Sequence, residues 1–210
     1  MAITNYTELK DAVADWLNRA DLTAQIPTFI SLSEARFNRT IRTRDMLTRA
    51  TATTTNEFVP MPNDWVETYQ LELPALATGG SNQPLQYVAP YEAAKYKAEA
   101  LSGNTRYYTI IDGAFELIPA PTSGSTTTLN LTYYARITPL SAGNITNWLL
   151  AKAPDLYLYA TLANAAPYLN NDERIPTWAQ LAASAYDELQ MDSERASRSR
   201  TSLNARNRQF

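Results

Sequence analysis

The 210-residue chain has no cysteine and no histidine. The first absence removes disulfides, thiolate metal sites and cysteine nucleophiles together; it is compatible with a reducing compartment and leaves packing as the source of stability. The second removes Ser-His-Asp triads, imidazole general bases and histidine-based zinc, copper or non-haem iron sites. Any enzyme built from these residues would have to run on carboxylates, lysine or tyrosine. Asp64 and Glu67 are of the right type for a glycosidase pair, whose separation of roughly 5 to 9.5 Å decides the mechanism. Nothing in the sequence sets them across a cleft, and helix capping or a solvated face is the simpler role for such residues. There is no Gly-x-x-x-x-Gly-Lys run, so Asp112-Gly113 is not a phosphate loop. No catalytic residue, cofactor or metal is therefore expected. A signal peptide is not indicated either, since Glu8, Lys10, Asp11 and Asp15 interrupt every apolar run near Met1. The most apolar helical stretch is shorter than the ~20 residues of a membrane span and carries Asp155 and Asn164, so no membrane partner is expected.

What is present is an uneven charge distribution. Arg195, Arg198, Arg200, Arg206 and Arg208 follow the last acid, Glu194, so that residues 1–194 hold 13 of the 18 basic and all 21 acidic side chains, a balance of −8. The chain is an acidic body with a basic tail. Thirteen tyrosines and four tryptophans invite comparison with single-strand nucleic-acid binders, whose aromatic faces stack on bases. That mode needs interleaved basic residues, and only Arg106 adjoins Tyr107-Tyr108 and only Arg136 lies near Tyr133-Tyr134. Aromatic packing within the fold accounts for them more simply. Asp187, Glu188, Asp192 and Glu194 could in principle attract a cation, but their spacing suits a wet helix surface better.

The hydrophobic period divides the chain. Tyr6 to Arg19, capped by Thr4 or Asn5, puts Leu9, Val13, Trp16 and Leu17 on one helical stripe. A second helix is expected over Thr23 to Arg44, entered through Pro27, with Arg36, Arg39, Arg42 and Arg44 on its far half. Ala153 to Leu169 is apolar nearly all round and reads as a buried helix. Another helix starts near Asp172, with Trp178, Leu181, Ala182, Ala185 and Leu189 at three- and four-residue steps. Between these pairs the pattern turns β-rich. Thr48 to Thr55, Glu57 to Pro60, Tyr69 to Leu73 and Thr126 to Tyr134 read as extended, and Asp64 is placed to cap a short helical turn containing Trp65 and Val66. Thr78 to Asn82 is a loop, and Pro90 to Leu101 is a short helix closed by Ser102-Gly103. Asp112-Gly113, between Tyr107–Ile111 and Ala114–Ile118, carries the type I′ hairpin signature. The expected fold class is α+β. Residues 1–45 and 145–196 would form a helical bundle body of about four helices, 46–144 a β-rich insertion, and 197–210 an extended, flexible C-terminal tail.

Several segments then recur in a telling order. Val59-Pro60 and Asp64-Trp65 are followed by Ser102-Gly103 with Tyr107-Tyr108-Thr109-Ile110, and by Leu117-Ile118-Pro119-Ala120-Pro121. Next come Leu131, Tyr133-Tyr134, Leu140, Asn147-Trp148-Leu149-Leu150 leading into Pro154-Asp155-Leu156-Tyr157-Leu158-Tyr159, and Asp172-Glu173-Arg174 with Trp178. Each piece alone is a weak pattern. Their order and spacing, from about Tyr6 to Ala196, resemble the head-to-tail adaptor (connector) proteins of tailed bacteriophages, of the type typified by the SU10 adaptor.

The resemblance implies a structural virion protein, assembled in the host cytoplasm and located at the portal–tail junction. It implies a homo-oligomeric ring, commonly of twelve copies, docked under the portal protein. Genomic double-stranded DNA would pass through an axial channel without specific binding, and a tail or nozzle protein would join the distal face. It also implies a C-terminal extension that contacts the portal, which singles out Arg195, Arg198, Arg200, Leu203, Arg206, Arg208 and Phe210 as portal-binding residues. Two other classes stay open on the residues alone. One is a nucleic-acid-binding module that uses the Arg-rich tail and shows a steep salt dependence; the other is a carboxylate hydrolase.

Overall fold

In chain order the elements are α1 (Tyr6–Leu17), α2 (Ile26–Thr40), β1 (Leu47–Thr54), β2 (Phe58–Pro60), β3 (Trp65–Leu73), β4 (Gln83–Pro84), β5 (Gln86–Tyr87) and α3 (Pro90–Ala98). They continue with β6 (Tyr107–Ile111), β7 (Ala114–Ile118), β8 (Thr127–Ala135), α4 (Trp148–Lys152), α5 (Pro154–Asn164) and α6 (Ile175–Arg198). This computed structural model describes residues 2–75, 81–99, 103–122, 125–169 and 173–198. The fold is α+β, with six α-helices and two sheets among the described residues. Contacts divide the chain into a discontinuous helical unit, Met1–Asp45 with Ile137–Phe210, and a β unit, Met46–Arg136.

In the helical unit α1 begins at an N-cap, Asn5, whose side chain accepts from the Glu8 amide, while the Glu8 carboxylate reaches back to the Thr4 amide and hydroxyl. It stops at Asn18, which adopts φ 52° and returns its N–H to the carbonyls of Ala14 and Asp15. The second helix is shorter than the expected 23–44. A 3₁₀ turn over Ala20–Leu22 precedes it, and Ile41 turns extended at φ −80°, ψ 130°. The stretch expected as one helix from Ala153 to Leu169 ends at Asn164, and Ala166–Tyr168 close as a 3₁₀ turn around Pro167. Where about four helices are expected, this unit has five among its described residues. Asn147 caps the additional short α4, accepting from the Leu150 amide, and Pro154 lacks the N–H that would continue it into α5. The α5 helix contacts α1, α2, α4 and α6. That position explains its all-round apolar sequence: Leu156, Tyr157, Leu158, Ala160, Thr161 and Leu162 are all buried. Helix α6 buries Trp178, Ala185, Leu189 and Ser193; its expected cap, Asp172, lies outside the described residues.

The β unit is two four-stranded sheets, ordered β1-β8-β3-β4 and β2-β7-β6-β5. Their inner faces bury Val59, Leu71, Leu85, Tyr108, Phe115, Leu117, Leu129, Leu131 and Tyr133 in one core. Alternation along β8 (Leu129, Leu131, Tyr133 buried) fixes the register against both neighbours, with Leu131 opposite Ala50 on one side and Leu71 on the other. Asp112 and Gly113 both have positive φ, 50° and 69°, as a type I′ turn demands. One expectation is corrected: Trp65 and Val66 form no helical turn but open β3, and Asp64 does not cap. Its carboxylate accepts from the Tyr133 hydroxyl at 2.9 Å and its carbonyl from the Arg136 amide at 2.6 Å, a tertiary pairing that outweighs the local capping preference. Residues 137–144, expected in the insertion, group with the helical unit. The Ile137 amide donates to Asn38 and the Leu140 amide to Glu34, both at 2.8 Å.

Candidate functional site

The tail residues singled out from the sequence are only partly within view. Arg195 is exposed near the end of α6, and Arg198 is the last residue of that helix. Arg200, Leu203, Arg206, Arg208 and Phe210 lie outside the described residues. What the structure does define is the base from which the tail leaves. The Lys152 ammonium bridges Asp45 and Asp192, at 2.8 Å to each. The Arg44 amide donates to the Ser193 hydroxyl at 3.1 Å, and the Tyr186 hydroxyl donates to the Thr40 carbonyl at 2.9 Å. The last turns of α6 are thus pinned to the end of α2 and to α4. The Lys152 ammonium holds the Asp192 carboxyl below the usual carboxylate range, and Arg44 and Arg195 add to the effect.

Deeper in the same unit lies a polar network that the sequence pattern does not announce. Glu34, on α2, is 4% exposed, and one carboxylate oxygen accepts from the Leu140 amide at 2.8 Å and the Tyr157 hydroxyl at 3.1 Å. The Asn147 amide donates to the Tyr157 oxygen and to the Thr138 carbonyl, 2.8 Å each. Four segments meet there: α2, the 137–147 return, the start of α4, and α5. Burial pushes the Glu34 carboxyl up, while the Leu140 and Tyr157 hydrogen bonds pull part of the way back. The available signal was Glu34 falling on the stripe of Ile30 and Phe37, where an acid has no solvent to face. In the β unit Lys97 on α3 pairs with Glu116 on β7 and with Glu57 at 3.3 Å. Burial alone would lower the Lys97 ammonium; hydrogen bonds and charge from the two carboxylates outweigh it and raise it.

Asp64 is engaged by Tyr133, whose hydroxyl burial and that carboxylate push up to about 12. Two clefts open in the β unit. One, of about 450 Å³, is lined by residues such as Ser81, Gln83, Asn104, Thr105 and Thr122; the other, of about 210 Å³, by Ala50, Ala52, Val59, Leu71 and Phe115. No acidic, basic or phenolic side chain lines either one among the described residues. Among those residues no three metal-ligating side chains converge, and no helix is long and apolar enough to cross a membrane. The tyrosines pack on one another: Tyr96 stacks on Tyr107 at 5.0 Å, and Tyr108 meets Phe115 and Tyr87 edge-on at 5.9 and 5.7 Å.

The model of the SU10 adaptor protein family matches residues 4–208, spanning both units. The chain belongs to that family and is a phage head-to-tail adaptor, a structural protein. No curated protein matches it.

Proposed function

We propose that copies of this chain close into a ring, commonly of twelve in such adaptors, that docks under the portal protein at the capsid vertex. The ring passes genomic double-stranded DNA through its axial channel and receives a tail or nozzle protein on its far side. The observation that carries this is the family match over 4–208, which takes in both units rather than one motif. The acidic balance of residues 1–194 supports a channel along which phosphate slides instead of sticking. In this reading residues 1–45 and 137–196 form the ring body and 46–136 an inserted module. The segment from Arg195 through Arg198, Arg200, Leu203, Arg206 and Arg208 to Phe210 is the portal contact. Its arginines find carboxylates on the portal, where bidentate charge-assisted bonds are strongest, and its two large apolar residues fill pockets.

The test is co-sedimentation with portal rings of the full chain and of a form ending at Ala196. The truncated form is expected to keep the melting temperature of the body and to lose most of its portal affinity. Undiminished affinity would move the portal contact to the helical body.

A further inference from the structure

Two helix faces of the helical unit carry opposite charge and are exposed among the described residues. On α2 the charged residues are Glu34, Arg36 and Arg39; Glu34 is buried, so the exposed side carries only the two arginines, beside Leu32 at 51% exposure. On α6 no basic residue occurs from Ile175 to Glu194, and its exposed side presents Asp187 and Glu188 between Leu181 at 37% and Met191 at 56% exposure. None of Arg36, Arg39, Asp187 and Glu188 is in an ion pair among the described residues. The two helices turn other sides to the core, α2 through Phe29, Ile30, Ser33 and Phe37, and α6 through Trp178, Ala185 and Leu189. The α2 face therefore combines one large apolar residue, and the α6 face two, with two like charges each, and the signs are complementary. The spacing agrees as well: seven residues separate Leu32 from Arg39 and Leu181 from Glu188, about 10 Å along each helix.

We propose that these are the two halves of the contact between neighbouring copies, the α2 face of one copy seated against the α6 face of the next. One chain carries two different complementary patches, so the contact is heterologous. It propagates from copy to copy and closes as a ring, where a self-complementary patch would stop at a dimer. The apolar residues supply burial, and the charges set the register and reject a copy presented the wrong way round. This rests on the ring reading above and adds the surfaces that make it.

Three full-length variants test it by sedimentation velocity and negative-stain microscopy, each with and without the portal protein of the same phage. They are R36E/R39E, D187R/E188R, and all four substitutions together. All four positions are exposed, so folding is expected to persist, which circular dichroism verifies. Each double variant places like charges across the contact and should weaken copy–copy association at least about tenfold. The fourfold variant, and an equimolar mixture of the two double variants, should restore rings because opposite charges face each other again. Wild-type rings that survive either double reversal overturn the interface and leave the ring reading standing. Wild-type protein that forms no ring in either condition overturns the ring reading itself. Double variants that lose portal binding while keeping copy–copy association assign the faces to the portal and overturn the proposal.

Discussion

The buried Glu34 makes the helical unit sensitive to pH in a direction that the geometry determines. Its carboxyl is raised in the folded state by burial, and no lysine or arginine contributes to its shift. In the window between the ordinary carboxylate pKa of about 4.3 and the raised folded value, the folded chain holds a proton that the unfolded chain has released. The contribution of Glu34 to stability is therefore greatest at and below the ordinary value and falls as pH rises through the folded one, by about 1.4 kcal/mol for each unit of displacement. Glu34→Gln keeps an oxygen for the Leu140 amide and the Tyr157 hydroxyl but cannot ionise. The difference in melting temperature between Glu34→Gln and wild type should thus move in the variant's favour as pH goes from 4 to 8. Glu34→Ala removes the acceptor and orphans two buried donors at about 1–3 kcal/mol each. With partial relief from the lost buried charge, a net loss of roughly 2–4 kcal/mol is expected at neutral pH. The assay is thermal unfolding followed at 222 nm, which reports the helices. A difference between Glu34→Gln and wild type that stays flat over pH 4–8, or runs the other way, would refute the reasoning.

Three further outcomes follow from the β unit and the charge pattern. Gly113→Val forces a β-branched residue to φ 69° and should cost roughly 1–3 kcal/mol of β-unit stability, whereas an unchanged melting curve would count against strain at that turn. Lys97→Met leaves Glu116, with its side chain 10% exposed, without its cation; because Lys97 is itself 38% exposed the loss should be only about 1–2 kcal/mol, read as a denaturant midpoint, and should vanish in Lys97→Met/Glu116→Gln. A ring lacking residues 197–210 should bind duplex DNA negligibly at about 0.15 M salt, and tight retention in a filter assay would contradict an acidic sliding channel.

How much of this was legible depends on how far apart the partners lie in the chain. The Asp112-Gly113 turn and a cap at Thr4 or Asn5, which the structure resolves to Asn5, could be read because every group that decides them is within a few residues. The β8 strand was equally clear, since its alternation is an intrinsic record of which face is buried. Asp64 was misread as a cap because its partner, Tyr133, is 69 residues away. Glu34 was missed for the same reason, with partners 106 and 123 residues distant. The two-residue strands β4 and β5 are too short to leave a period and exist only because β3 and β6 offer edges to pair with. The α2 and α6 faces were visible as charge runs, but only burial shows which charges remain free. Glu34 sits in the same run as Arg36 and Arg39 and faces the opposite way.

The most direct test of the central claim is negative-stain microscopy of the purified full-length chain mixed with the portal protein of its phage. The account predicts ring-shaped complexes in which a second tier with an open axial channel, built from this chain, sits on the portal. Portal rings that stay bare while the chain remains folded and in excess would contradict it.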